Sequence, residues 1–122
     1  KNKHIKTLVN RRRLLPDINS FDQSAVRRSE RQAVNSVIQG TAADIVKLAM
    51  IHVNDLIESG VLDAKECRLL LQIHDELFFE ISNDNLYKVI GVINDTMEKV
   101  IKLDVELPVR VNLGTRWGSM KV

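Results

Sequence analysis

LLLQIHDELFFEI, Leu69 to Ile81, places two apolar runs on either side of three polar residues. Cys67 to Ile73 (CRLLLQI) and Leu77 to Ile81 (LFFEI) each have the length and composition of a strand, and only His74, Asp75 and Glu76 lie between them. Two apolar strands around so short a polar connection form a β-hairpin, with the acids at its tip. On the N-terminal side, Ala42, Ile45, Val46, Ala49, Met50, Val53, Leu56 and Ile57 recur every three or four residues and predict an amphipathic helix ending near Gly60. A helical pattern from about Ala25 carries Val34, Val37 and Ile38. Gly40 then predicts a kink or break, after which Thr41 would cap the next helix.

Residues 5–9 (IKTLV) read as extended, and Leu14 to Ser20 as a loop, since Pro16, Asp17 and Asn19 are turn formers. Beyond the hairpin, Leu86, Val89, Ile90, Ile93, Met97, Val100 and Ile101 make a second helical stripe. Leu107 to Leu113 (LPVRVNL) alternates as a strand before Gly114 and the Trp117-Gly118 pair. The predicted class is α+β, a small, mostly antiparallel sheet packed against helices. Neither an internal repeat nor a low-complexity segment is present.

The 122 residues, 44% of them hydrophobic, suffice for one domain with a modest core. No apolar run reaches the length of a membrane span, and Lys1-Asn2-Lys3-His4 is not the start of a signal peptide. A soluble, unexported protein is expected. The absence of an initiator Met suggests a domain cut from a longer chain. Cys67 is the single cysteine, which excludes an internal disulfide or a multi-cysteine metal site and fits a reducing compartment, cytosol or nucleus. The net charge of +2 is unevenly distributed: nine Lys or Arg against three acids up to Arg31 give +6, and the remainder carries −4. A basic arm ahead of a mildly acidic body suits a protein with one face toward a polyanion, although Arg11, Arg12 and Arg13 alone are equally a solvated charge run.

Adjacent carboxylates at a turn are most often only solvated. Asp75 and Glu76 are distinguished by the strands that would hold them, which can position a site on a rigid sheet. Carboxylates are hard oxygen donors suited to Mg²⁺, which takes one or two of them with waters and phosphate oxygens. Two-metal phosphoryl transfer needs carboxylates from more than one strand, so a single strand-borne pair is an incomplete site. His74 is either a turn residue, a nucleic-acid contact or a hydrogen-bond partner orienting Asp75. Arg31, Asn35 and Gln39 repeat every four residues and share a helix face. Such donors suit a duplex minor groove, where A·T and T·A present alike, and they equally suit the outer face of any surface helix.

Four blocks in order, RRRLLPDINS, RRSERQAVNSVIQGTAADIVKLAM (Arg27 to Met50), LLLQIHDELFFEI and LPVRVNLGTRWG, resemble the C-terminal part of family A DNA polymerases over nearly the whole chain. QGTAAD and HDEL are specific when found together at this separation. The resemblance implies a partial polymerase palm, with residues 1–40 the end of the fingers and basic arm and residues 41–122 the palm. It makes Asp75 the second metal-binding aspartate, Glu76 its neighbouring catalytic acid and His74 a contact near the primer terminus. Arg31, Asn35 and Gln39 become minor-groove probes, and Arg11, Arg12 and Arg13 a cluster meeting phosphate or template. Asn10 departs from the family, which usually has Gly before these arginines.

The first metal-binding aspartate, on an element usually reading D-Y-S-Q-I-E, and the nucleotide-binding fingers helix lie upstream of Lys1 in relatives. The implied partners are primer-template DNA, a dNTP and the remainder of the polymerase domain, with no membrane. Mg²⁺ is the implied cofactor of the intact enzyme, and the fragment alone is expected to hold no catalytic metal and to be inactive. The ending LGTRWGSMKV and the wording ERQAVN and KLAMIHV resemble the eukaryotic theta and nu branch, implying a nuclear enzyme of repair or damage bypass. The rival readings are a non-catalytic palm remnant that clasps duplex DNA, and an interaction domain whose basic arm and acidic tip are only solvated.

Overall fold

The computed structural model describes residues 3–120. Its elements in chain order are β1 (His4–Lys6), β2 (Arg12–Leu14), α1 (Gln23–Glu58), β3 (Cys67–Ile73), β4 (Glu76–Ile81) and α2 (Leu86–Glu98), with short 3₁₀ turns at Pro16–Asn19, Asn83–Asn85 and Trp117–Ser119. The strands form two separate two-stranded sheets, β1–β2 and β3–β4, so the expected α+β class is found with a divided sheet. The chain forms two compact units. One comprises the described part of Lys1–Lys47 with Ile73–Glu76, the other Leu48–Gln72 with the described part of Leu77–Val122.

In the first unit, β1 and β2 pair antiparallel with Ile5 opposite Arg13. Their connection closes through Asn10 N–H to Thr7 O at 2.9 Å and Thr7 N–H to Arg11 O at 3.0 Å. Asn10 has φ +66°, the left-handed conformation that ends such a turn and that Asn tolerates better than other side-chain-bearing residues. That explains how Asn stands where the resembling family usually has Gly. Arg12–Leu14 is a strand that sequence patterning does not reveal, because three consecutive basic or exposed positions carry no alternation.

Asp22 caps α1: its Oδ1 accepts from Ser24 N–H at 2.8 Å and its Oδ2 from the Ser24 hydroxyl at 3.0 Å. The Ser24 backbone N–H leads the causes that hold its carboxyl below the ordinary range. From there α1 runs unbroken for 36 residues, so Gly40 neither breaks nor ends it and Thr41 does not cap a second helix. Gly40 is instead a point of close approach. A Cβ there would lie 2.9 Å from Thr7 Cγ2 and 3.4 Å from Arg11 Nη2. Thr41 lies inside the helix, donating its hydroxyl to Val37 O at 2.6 Å and accepting Leu8 N–H at 3.2 Å.

The expected burial of Val34, Val37 and Ile38 is also corrected, since they are 65, 37 and 68% exposed. The packed face of this half is small and polar: Ser29, Ser36, Thr41 and Asp44 are buried, with Ala33 and Gly40 half-buried between them. Beyond Lys47 the burial moves to Ala49 and Val53. The apolar stripe is therefore continuous in sequence but covered only along its C-terminal half.

In the second unit, Val53 of α1, Leu62, Cys67 of β3 and Val89 and Ile93 of α2 form the buried core, flanked by Phe79 and Ile81 of β4. Burial pushes the Cys67 thiol up, which leaves it uncharged in an apolar setting. The helix α2 stops at Glu98, short of Val100 and Ile101. Leu107 to Leu113 forms no strand: alternation supplies a suitable face, but a ladder needs a neighbouring strand, and Val109 N–H instead donates to Glu98 Oε1 at 2.9 Å. The C-terminal segment is held to β4 by Trp117, stacked on Phe78 with ring centroids 4.5 Å apart.

Two helical glycines should respond oppositely to alanine. At Gly91, in α2, a Cβ meets nothing within 4 Å, so Gly91→Ala should stabilise by about 0.5–1 kcal/mol through helix propensity. Gly40→Ala has the same propensity gain, but its Cβ strikes buried Thr7, and the expected result is net destabilisation. Thermal denaturation of the parent and both variants checks this. A raised melting temperature for Gly40→Ala would show that Thr7 yields.

Candidate functional site

The hairpin β3–β4 turns through two residues, His74 and Asp75, and Glu76 is the first residue of β4. His74 has φ +52°, a conformation that a non-glycine residue adopts chiefly in tight turns. All three residues are exposed. Alternation along β4 puts Leu77, Phe79 and Ile81 on one face and Glu76, Phe78 and Glu80 on the other. Phe79 and Ile81 pack on the core, whereas Phe78 meets Trp117. Glu76 therefore shares the Trp117 side of the strand, while Asp75 belongs to the turn itself.

Asp75 and Glu76 suit Mg²⁺ in kind, being hard oxygen donors at an accessible tip. They do not suffice in number: among the described residues, no group of three His, Cys, Asp or Glu is placed to hold a metal.

The tip falls in the same compact unit as the N-terminal half of α1. There Arg31, Asn35 and Gln39 are all exposed, and at 1.5 Å per residue they span roughly 12 Å of helix. Helical spacing sets them opposite the packed Ala33–Gly40–Asp44 side. Arg27, also exposed and four residues before Arg31, extends this row by one turn. Sequence reasoning stopped short of it, although the same four-residue spacing points to it.

The three consecutive arginines separate into different environments. Arg12 and Arg13 are exposed on β2. Arg11 is pinned: its Nε donates to Asp44 Oδ1 at 2.6 Å and its Nη2 to Gly40 O at 3.1 Å. Asp44 is only 6% exposed. Burial acts to raise its carboxyl, but hydrogen bonds from Thr7 and Arg11 and the charges of Arg11 and Lys47 outweigh burial and hold it below the ordinary range. Asp44 was not singled out from the sequence, since an ion pair between residues 33 apart leaves no local pattern.

A surface cleft of about 490 Å³ lies in the segment after α2 between residues such as Lys99, Lys102, Leu103 and Pro108. None of the candidate residues Arg11, Arg12, Arg13, Arg31, Asn35, Gln39, His74, Asp75 and Glu76 lines it. No helix among the described residues is long and apolar enough to cross a membrane.

Comparison with known proteins gives a concordant result. The family described as DNA polymerase family A matches residues 1–119. The chain is 40% identical over 121 residues to DNA polymerase theta of Drosophila melanogaster, covering 96% of this chain and 6% of that protein. It is 41% identical over 118 residues to DNA polymerase I of Streptococcus pneumoniae, covering 97% of this chain and 13% of that one. Among solved structures, the POL domain of Pol1 from M. smegmatis, in complex with DNA primer-template and dNTP, superposes with a TM-score of 0.78 at 39% identity, covering 86% of this chain and 18% of that one. The chain thus spans 6 to 13% of the length of these curated relatives.

Proposed function

Because the chain belongs to DNA polymerase family A, we propose that it is part of a DNA-directed DNA polymerase, supplying one carboxylate pair of the palm and a duplex-facing helix. The observation that carries this reading is the grouping of the His74–Glu76 tip with the Arg31–Asn35–Gln39 half of α1 in one compact unit. The reaction is attack of a primer 3′-hydroxyl on the α-phosphate of a dNTP, with pyrophosphate leaving. Asp75, with Glu76 beside it, would hold Mg²⁺, which when bound stabilises charge developing on the phosphoryl oxygens. His74 contacts the primer end and the α1 row lies along the minor groove, accepting any correct pair while sensing its shape. Arg12 and Arg13 offer charge to phosphate or template.

Residues 1–40 are read as the end of the fingers and basic arm, and residues 41–122 as palm. The remaining ligands and the nucleotide-binding helix belong to the remainder of the polymerase domain. The apolar positions Val34 and Ile38, exposed here, are read as surface that this remainder covers. The wording of the C-terminal block supports the theta and nu branch, and with it a nuclear role in repair or damage bypass. Overall identity, 40% to the theta relative and 41% to the pneumococcal one, does not separate the two branches.

Asp75→Asn in the full-length protein preserves shape and removes the charge a metal requires. Single-turnover primer extension should fall by orders of magnitude with duplex binding retained. Near-normal turnover would remove Asp75 from the metal site. Glu76→Gln should be milder, because Glu76 leaves the turn along the face of β4 that carries Phe78.

Gln39→Ala should alter extension from mismatched relative to matched termini, irrespective of which correct pair is present. Equal losses on matched and mismatched primers would indicate general positioning instead.

The 122-residue chain by itself should give no templated extension in Mg²⁺ or Mn²⁺, since the neighbouring pair Asp75 and Glu76 alone gives the ion little hold. It should retain weak, strongly salt-dependent duplex binding through its basic N-terminal third. Primer extension and duplex affinity at two salt concentrations, measured on one preparation, check both. Templated extension would overturn the incomplete-site reading.

A further inference from the structure

We propose that Arg11 is a positioning residue for the pair-sensing face of α1, not a contact to DNA. The inference rests on reading Arg31, Asn35 and Gln39 as duplex probes, and it separates Arg11 from the neighbouring arginines with which its sequence groups it. The guanidinium of Arg11 spans one turn of α1, bonding Gly40 O at 3.1 Å and Asp44 Oδ1 at 2.6 Å. These two bonds face the helix and run to groups at i and i+4 on one side of it, which orients the guanidinium along the helix. The same turn is gripped from the same loop by Leu8 N–H on Thr41 Oγ1 at 3.2 Å and by the contact of Thr7 with Gly40. Gln39 immediately precedes Gly40 in this turn and projects to the exposed side.

Asp44 makes the arrangement directional. Its side chain is 7% exposed, whereas that of Arg11 is 49% exposed. Losing Arg11 would leave a carboxylate buried in the helix–loop contact, and the helix turn would have to move or hydrate to relieve it. Its other oxygen, Oδ2, is buried without a hydrogen-bond partner, so the carboxylate relies on Arg11 together with Thr7 and the charge of Lys47. A lysine could supply charge here but not two directed bonds, to a carboxylate and a carbonyl one turn apart. The loop acts from behind the helix on the side chain in front of it.

The test uses the full-length protein and compares Arg11→Ala, Arg11→Lys, Arg12→Gln, Arg13→Gln and Gln39→Ala. Duplex binding is measured against salt, and extension is measured from matched and mismatched termini. A phosphate contact contributes roughly 0.9 to the slope of log affinity against log salt. For Arg11→Ala the expected slope is unchanged, while the ratio of mismatched to matched extension shifts in the same direction as in Gln39→Ala, on the order of two- to tenfold. Arg11→Lys should not restore the ratio, and the Arg11→Ala, Gln39→Ala double variant should shift it by less than the product of the two single effects.

A slope reduced by about one unit in Arg11→Ala, or an unchanged ratio there when Gln39→Ala changes it, overturns the proposal. No effect of Gln39→Ala itself overturns the probe reading and the proposal with it. If Arg11→Ala does not fold, the pair Arg11→Met with Asp44→Leu removes both charges without leaving one buried, and the salt slope decides: an unchanged slope is expected, and one reduced by about one unit overturns the proposal.

Discussion

Thr7 approaches α1 so closely at Gly40 that no side chain fits between them, and most of what the first unit does depends on that contact. It brings the β1–β2 connection within hydrogen-bonding reach of the helix, allowing Leu8 to bond Thr41 and Arg11 to bond both Gly40 and Asp44. A bulkier residue at position 40 would hold the loop off and leave Asp44 buried beside too few donors. The helix accepts a glycine in its interior, at a cost of about 1 kcal/mol in propensity, where the surrounding bonds offset it.

The two halves of α1 are consequently held by different forces. From Ala49 onward the helix packs apolar side chains on Leu62, Cys67, Val89 and Ile93, and the driving force is removal of hydrocarbon from water. Between Ser29 and Asp44 the packed side is hydroxyls, a carboxylate and small residues, so directed bonds take the place of bulk burial. The polar half is therefore sensitive to geometry: a shift that merely loosens an apolar contact would leave a buried polar group unpaired here. Such packing holds in register the opposite side of the helix, where Arg31, Asn35 and Gln39 are exposed.

This difference also explains which parts were legible in the sequence. The hairpin, the C-terminal half of α1 and most of α2 follow from apolar periodicity, because apolar burial is what stabilises them. Val34 and Ile38 continue the same periodicity without being covered, and Gly40 looks like a helix breaker until the loop packed on it is known. Leu107 to Leu113 alternates correctly but lacks a partner strand, which no local pattern can report. Among the candidate site residues, the tip acids and the Arg31–Asn35–Gln39 row were legible as a strand turn and a helix face. Asp44 and its pairing with Arg11 were hidden, since contacts between residues so far apart follow from the fold alone.

Cys67 gives the second unit a built-in reporter. It is the single cysteine of the chain, 1% exposed and at the centre of the core, and burial keeps its thiol in the protonated, unreactive form. A thiol reagent can modify it only when that core opens, so the modification rate follows the opening of the structure that carries β3 and β4. Opening confined to the N-terminal half of α1 would pass unrecorded, because the buried hydroxyls and carboxylate there have no comparable reactivity. The chemistry of one side chain thus distinguishes breathing in the apolar unit from breathing in the polar one.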